Sequence, residues 1–145
     1  MRGLFLVFAI TVFSVNGWAV ETIELTQTAC QFVEPEKGDQ HYRANSYEAC
    51  QRFNEKNSED RLARSKVIEL KQGEYLFRVH NRDVPYVLGF WLRGEGLGRL
   101  TLPSVSGGGI ETGSYKDYRI TLKEGEYLYS CPLNPTPDYK LVVKE

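Results

Sequence analysis

Five side chains carry the chemistry this sequence has to offer: Cys30, Cys50, Cys131, His41 and His80. A thiolate with one or two imidazoles is the donor set for zinc or copper, and a thiolate with a neighbouring base is the set for nucleophilic catalysis. Cys131 ends the run GEYLYSC and opens SCPLNPTPDY (residues 130–139), a loop stiffened by Pro132, Pro135 and Pro137. Two readings of Cys131 stand side by side. It is a small buried hydrophobe under Tyr127, Tyr129 and Tyr86, or a thiolate metal ligand completed by His41, His80 or a partner. No HExxH, CxxC or GxSxG is present, and Asp83, Glu95 and Glu111 stand isolated, so no catalytic constellation is visible and the expectation is a non-enzyme.

Cys30 and Cys50 bracket a polar, irregular stretch, and a disulfide between them would close a loop worth about 3 kcal/mol. Such pairing requires an oxidising compartment. The first residues supply a route there: Arg2, an apolar run over residues 4–15, and the ending Gly17-Trp18-Ala19 read as a secretory signal cleaved after Ala19. The run is shorter than the ~20 apolar residues a membrane span needs. Residues 20–145 then form one domain, periplasmic or secreted, with no membrane insertion after cleavage. Both signs of charge are scattered, with a formal net charge of −1 for the whole chain and no basic stripe, which argues against nucleic acid as a partner.

The elements that must position these residues are short and alternating. Residues 22–27 (TIELTQ) read as a first strand. Residues 28–65 read as an insertion tied down by the disulfide, with a short helix from Tyr47 to about Lys56 capped by Ser46 and a separate turn over residues 59–64. Strands follow over 67–70, 74–81, 86–93, 115–122, 127–131 and 139–143, an all-β antiparallel sandwich. LKQGEYLFRV (residues 70–79) and LKEGEYLYSC (residues 122–131) form a quasi-repeat, two similar corners of one sandwich. Parity puts Tyr75, Phe77 and Val79 in the core, His80 outside beside Arg78, and Tyr86, Leu88, Phe90 and Leu92 inward. Trp91 falls on the opposite face. Gly94-x-Gly96-x-Gly98 and Gly107-Gly108-Gly109 lack the strand–turn–helix setting of a phosphate loop and read as mobile hairpin turns.

GEYLFRVHN, VPYVLGF, SYKDYRITL, GEYLYSCP and YKLVV, in that order over residues 66–143, resemble the cupredoxins, the Greek-key sandwiches that carry blue copper. The resemblance implies a ligand set of two imidazoles, a thiolate and a weak axial thioether. Carried over, the first imidazole position holds Tyr86, the thiolate is Cys131, the second imidazole position holds Asn134, and the axial position near residues 137–139 has no methionine. Met1 is the single methionine of the chain. The implied function is an exported binding or accessory protein with a degenerate copper site. It would dock a protein partner of a metal-linked or electron-transfer pathway through Pro132, Leu133, Pro135 and Pro137, with no cofactor. The alternative is a copper or redox protein using Cys131 with a non-standard ligand set.

Overall fold

The computed structural model of the protein describes residues 19–145. The export signal expected over residues 1–19 lies, apart from Ala19, outside the described residues. Two sheets face each other. The first has the order β2 (Gln31–Phe32), β1 (Glu21–Thr28), β4 (Gly73–Asn81), β7 (Tyr115–Leu122). The second has the order β3 (Ile68–Lys71), β9 (Tyr139–Lys144), β8 (Gly125–Ser130), β5 (Leu88–Gly94), β6 (Val105–Ile110). The sandwich is as expected, but its strands are not all antiparallel: β1 runs parallel to β4, and β3 parallel to β9. Parallel neighbours need a crossover of a dozen or more residues. The long stretch holding α1 (Tyr47–Arg64) and β3 supplies one between β1 and β4.

Alternation sorts β4 as its sequence predicts: Tyr75, Phe77 and Val79 are buried, while Arg78 and His80 lie on the outer face. There His80 Nε2 meets Glu24 Oε2 at 2.6 Å, and Arg78 forms a two-pronged pair with Asp117. Aromatic rings fill the centre, with Phe32 edge-on to Phe90, Tyr129 and Tyr139. The quasi-repeat is one local device used twice. Tyr75 donates its hydroxyl to Lys71 O at 2.9 Å, and Tyr127 donates to Lys123 O at 2.8 Å, each reaching back four residues. The intervening Gly73 and Gly125 have φ of 154° and 153°, a conformation other residues rarely adopt. Gln72 Oε1 accepts from Glu124 N and joins the two corners at one end of the sandwich.

Three further expectations change. The helix does not stop near Lys56; α1 continues to Arg64, capped by Ser46 Oγ accepting from Ala49 N. One face of it, Cys50, Asn54 and Arg61, is buried, so tertiary contacts carry the helix through a polar stretch. Gly107-Gly108-Gly109 is not a turn but part of β6. A Cβ on Gly89 would lie 2.8 Å from Gly107 O and one on Gly107 would lie 3.1 Å from the Tyr118 ring, so only glycine lets these backbones approach. Tyr86 is not in a strand: β5 begins at Leu88, and residues 82–87 form a loop. Among the described residues no helix is long and apolar enough to cross a membrane.

Candidate functional site

The end of the sandwich opposite the two tyrosine corners gathers Cys131, Tyr86, Asn134 and the disulfide. Asn81, itself fully buried, shapes it. Its side chain donates to Tyr86 O and Ile110 O at 3.0 and 3.2 Å and accepts from Val84 N at 3.0 Å, which fixes the loop that presents Tyr86. Cys131 follows β8 directly and is 1% exposed. Its sulfur accepts from Asn134 N at 3.2 Å and Gly89 N at 3.5 Å. Burial pushes its thiol above the ordinary value, and these hydrogen bonds offset only part of that shift. The neutral, enclosed thiol is therefore a poor nucleophile at neutral pH.

Asn134 is wholly buried and fully engaged. Its Oδ1 accepts from Cys30 N at 2.8 Å and lies 3.4 Å from Cys50 Sγ. Its Nδ2 donates to Thr28 O at 2.9 Å and Gln27 Oε1 at 3.3 Å. Gln27 in turn donates to Gly89 O at 2.9 Å. The expected disulfide joins Cys30 and Cys50 beside this amide. Tyr86 is half-buried, yet its hydroxyl oxygen is enclosed without a hydrogen-bond partner in the structure. Burial raises its pKa, helped by the proximity of Cys131 and Glu48. Tyr118 is pushed up to about 12, by burial first and then by Cys131.

A second buried cluster locks residues 30–61 onto this end. The Arg61 guanidinium bonds Glu36 Oε1 at 2.6 Å, Asn54 Oδ1 at 2.6 Å and Cys30 O at 2.8 Å. Tyr139 donates to the same Glu36 oxygen at 2.5 Å, and Asn54 donates to Pro135 O. Sequence reasoning missed Gln27, Asn81, Glu36, Asn54 and Arg61. A readable signal existed for two of them: Asn54 and Arg61 stand four and eleven residues beyond Cys50, on the helix face that a disulfide must turn inward.

The other predicted residues are not brought to Cys131. His80 is on the outer face of β4 against Glu24, and His41 is an exposed neighbour of Asp39. No group of three or more His, Cys, Asp or Glu that could hold a metal gathers among the described residues. The proline loop is exposed only in its first half: Pro132 and Leu133 face solvent, Pro135 is half-buried and Pro137 is buried. Pro132 and Leu133 border a shallow apolar groove of about 280 Å³ with Trp91 and the bare backbone of Gly107 and Gly108. Trp91 is stacked by Arg93 at 4.1 Å and Arg99 at 5.2 Å.

No protein-family model and no curated protein matches this sequence. Among solved structures, auracyanin B aligns over 90% of this chain and 94% of its own, at 13% identity and a TM-score of 0.52. Auracyanin A, a "blue" copper protein from Chloroflexus aurantiacus, aligns over 87% of this chain and 100% of its own at 13% identity, with a TM-score of 0.49. Amicyanin aligns over 54% of this chain and 69% of its own at 19% identity, with a TM-score of 0.39. At such identities the likeness to auracyanin B shows the fold alone, and that fold is cupredoxin-like.

Proposed function

We propose that this chain is an exported, cupredoxin-like accessory protein that binds a protein partner and holds no type 1 copper. The observation that carries the reading is Asn134. At the position where the resemblance puts an imidazole, its amide is spent on Cys30 N, Thr28 O and Gln27 Oε1, so that residue ties the N-terminal segment down. Copper in a near-trigonal thiolate site asks for two imidazoles beside the sulfur. Here Cys131 has a phenol and an engaged amide in those places, and the residues do not fit the metal. The disulfide supports an oxidising, exported setting. The exposed half of the proline loop and the groove beside it offer the docking surface. A metal-linked or electron-transfer pathway is carried by analogy of fold.

Copper and zinc titration of the exported protein, with visible absorption followed against Cys131→Ser, tests the metal half of this reading. The expected result is no stoichiometric binding of either metal. Intense visible absorption that disappears in Cys131→Ser overturns it. For the docking half, a photo-crosslinker at position 133 should yield one discrete adduct in the source cell envelope. A ladder of unrelated adducts, unchanged by Pro132→Ser, overturns that half.

A further inference from the structure

A polar cavity of about 260 Å³ opens where the segment after β2 meets the last turn of α1. Glu36, Lys37, Gln40, Tyr42, Arg61 and Arg64 line it, and none of them belongs to the copper positions or to the docking groove. Its floor is complete. Glu36 Oε1 accepts from Arg61 and Tyr139, and Oε2 accepts from the Tyr42 hydroxyl at 2.8 Å. Buried Arg61 spends every guanidinium nitrogen on Glu36, Asn54, Asn57 and Cys30 O, and lies 4.5 Å from the centre of the Tyr42 ring.

The walls are not complete. Lys37 and Arg64 are exposed, and neither enters an ion pair among the described residues. Three cations and one carboxylate line the cavity, which leaves two positive charges uncompensated in a chain whose formal net charge is −1. Asp39, the other acid of this loop, is turned toward His41 and Arg82. Arg64 sits in the last turn of α1, where the helix carbonyls favour a cation in any case. Lys37 has no such partner. Its backbone is also held in the left-handed region, with φ of 61°, and His41, between the lining residues Gln40 and Tyr42, has φ of 55°. Side chains seldom adopt that region, and ligand clamps are among the places where they are kept in it. The charge of Arg64 reaches the floor: burial and then the bond to Glu36 raise Tyr42 to about 12, while Arg61 and Arg64 pull the other way.

We propose that this cavity binds a small oxyanion carrying two negative charges, of the phosphate or short dicarboxylate class, held by Lys37 and Arg64 above the floor of Tyr42 and Arg61. A bound dianion joins the loop after β2 to the end of α1, the two segments that Glu36 and Arg61 already hold together. The test is NMR titration of the protein with inorganic phosphate and, separately, with succinate, at physiological salt and mildly alkaline pH. Saturable shifts at the amides of Lys37, Gln40 and Tyr42 are expected with at least one of the two, and the anion that gives them sets the class. Lys37→Gln with Arg64→Gln should weaken that binding roughly tenfold or more, as charge-assisted bonds are removed, without moving the unfolding midpoint measured free of anion. Saturating anion should raise the unfolding temperature of the native sequence and not that of the double variant. No saturable shift with either anion overturns the proposal. So do shifts that acetate matches at equal concentration, shifts spread over the surface lysines, or affinity that survives the double substitution.

Discussion

Replacing Asn134 by alanine should destabilise the protein by about 3 kcal/mol, out of proportion to the few atoms removed. The amide serves three buried groups: Cys30 N–H at 2.8 Å, Thr28 O at 2.9 Å and, more loosely, Gln27 Oε1 at 3.3 Å. Cys30 and Gln27 are 0% exposed and Thr28 is 3% exposed, so water cannot freely take the amide's place. A buried polar group left without a partner costs about 1–3 kcal/mol. The two short bonds alone set a floor near ~2 kcal/mol, and the third bond with the small void raises the total to about 3 kcal/mol. In urea unfolding with a slope of about 2 kcal/mol/M, the midpoint should fall by about 1.5 M. Asn134→Asp sharpens the test. It keeps the acceptor for Cys30 N but sets a carboxylate against the two acceptors Thr28 O and Gln27 Oε1. Its loss at neutral pH should match or exceed that of alanine. That carboxyl would have a raised pKa in the fold, so stability should return as pH falls and the protonated acid can donate. A midpoint shift below about 0.3 M for alanine, near the scatter of such measurements, would refute the reasoning. So would an aspartate variant milder than alanine at pH 7.

Arg61→Met should cost about 3–5 kcal/mol in denaturant melts, because it leaves Glu36 charged and unpaired in a pair whose side chains are only 3% and 5% exposed; adding Glu36→Gln should recover much of it. Cys131 should react with a thiol reagent at pH 8 far more slowly in the native protein than in urea, since burial both shields the sulfur and raises its pKa; equal rates would count against an enclosed thiol. Alkali should unfold the protein. Tyr42 and Tyr118 are pushed up to about 12 from an ordinary 10, chiefly by burial, and Tyr129, Tyr139 and Cys131 are raised as well. A raised pKa means the folded state holds protons the unfolded chain has released. Stability is therefore full below the unfolded values and is lost between about pH 9 and 12, at about 1.4 kcal/mol per pH unit for each group titrating; a melting temperature flat from pH 8 to 11 would contradict this.

What could be read in advance followed from strict local periods. Alternation in residues 74–81 sorted Tyr75, Phe77 and Val79 from Arg78 and His80, and Ser46 announced the start of α1. The Cys30–Cys50 bond could be expected because the two cysteines bracket a polar, irregular stretch. What escaped depends on contacts between distant segments. β6 hid because VSGGGI has almost no side chains to alternate; its glycines answer to Gly89 and Tyr118 across the fold. The Tyr86 position was misjudged because Asn81, not strand pairing, sets that loop. At the candidate site, the short spacing from Cys131 to Asn134 was legible. The use of Asn134 was not, since its partners lie over a hundred residues away.

The two ends of the sandwich differ in how far apart in sequence their fastenings lie. The Tyr75 and Tyr127 hydroxyls reach back only four residues, so those corners can close while the rest of the chain is still open. The Cys131 end is fastened by pairs separated by 104 residues at Asn134 and Cys30, and by 103 at Tyr139 and Glu36. Loop-closure entropy makes such pairs the late ones to form. The same end is then the first to loosen in partial opening, and amide exchange should reach Cys30 and Asn134 before it reaches Tyr75 and Tyr127. A single thiol would thereby become visible to solvent through a motion that leaves most of both sheets intact. The population of that open form would then set how readily an oxidant reaches Cys131.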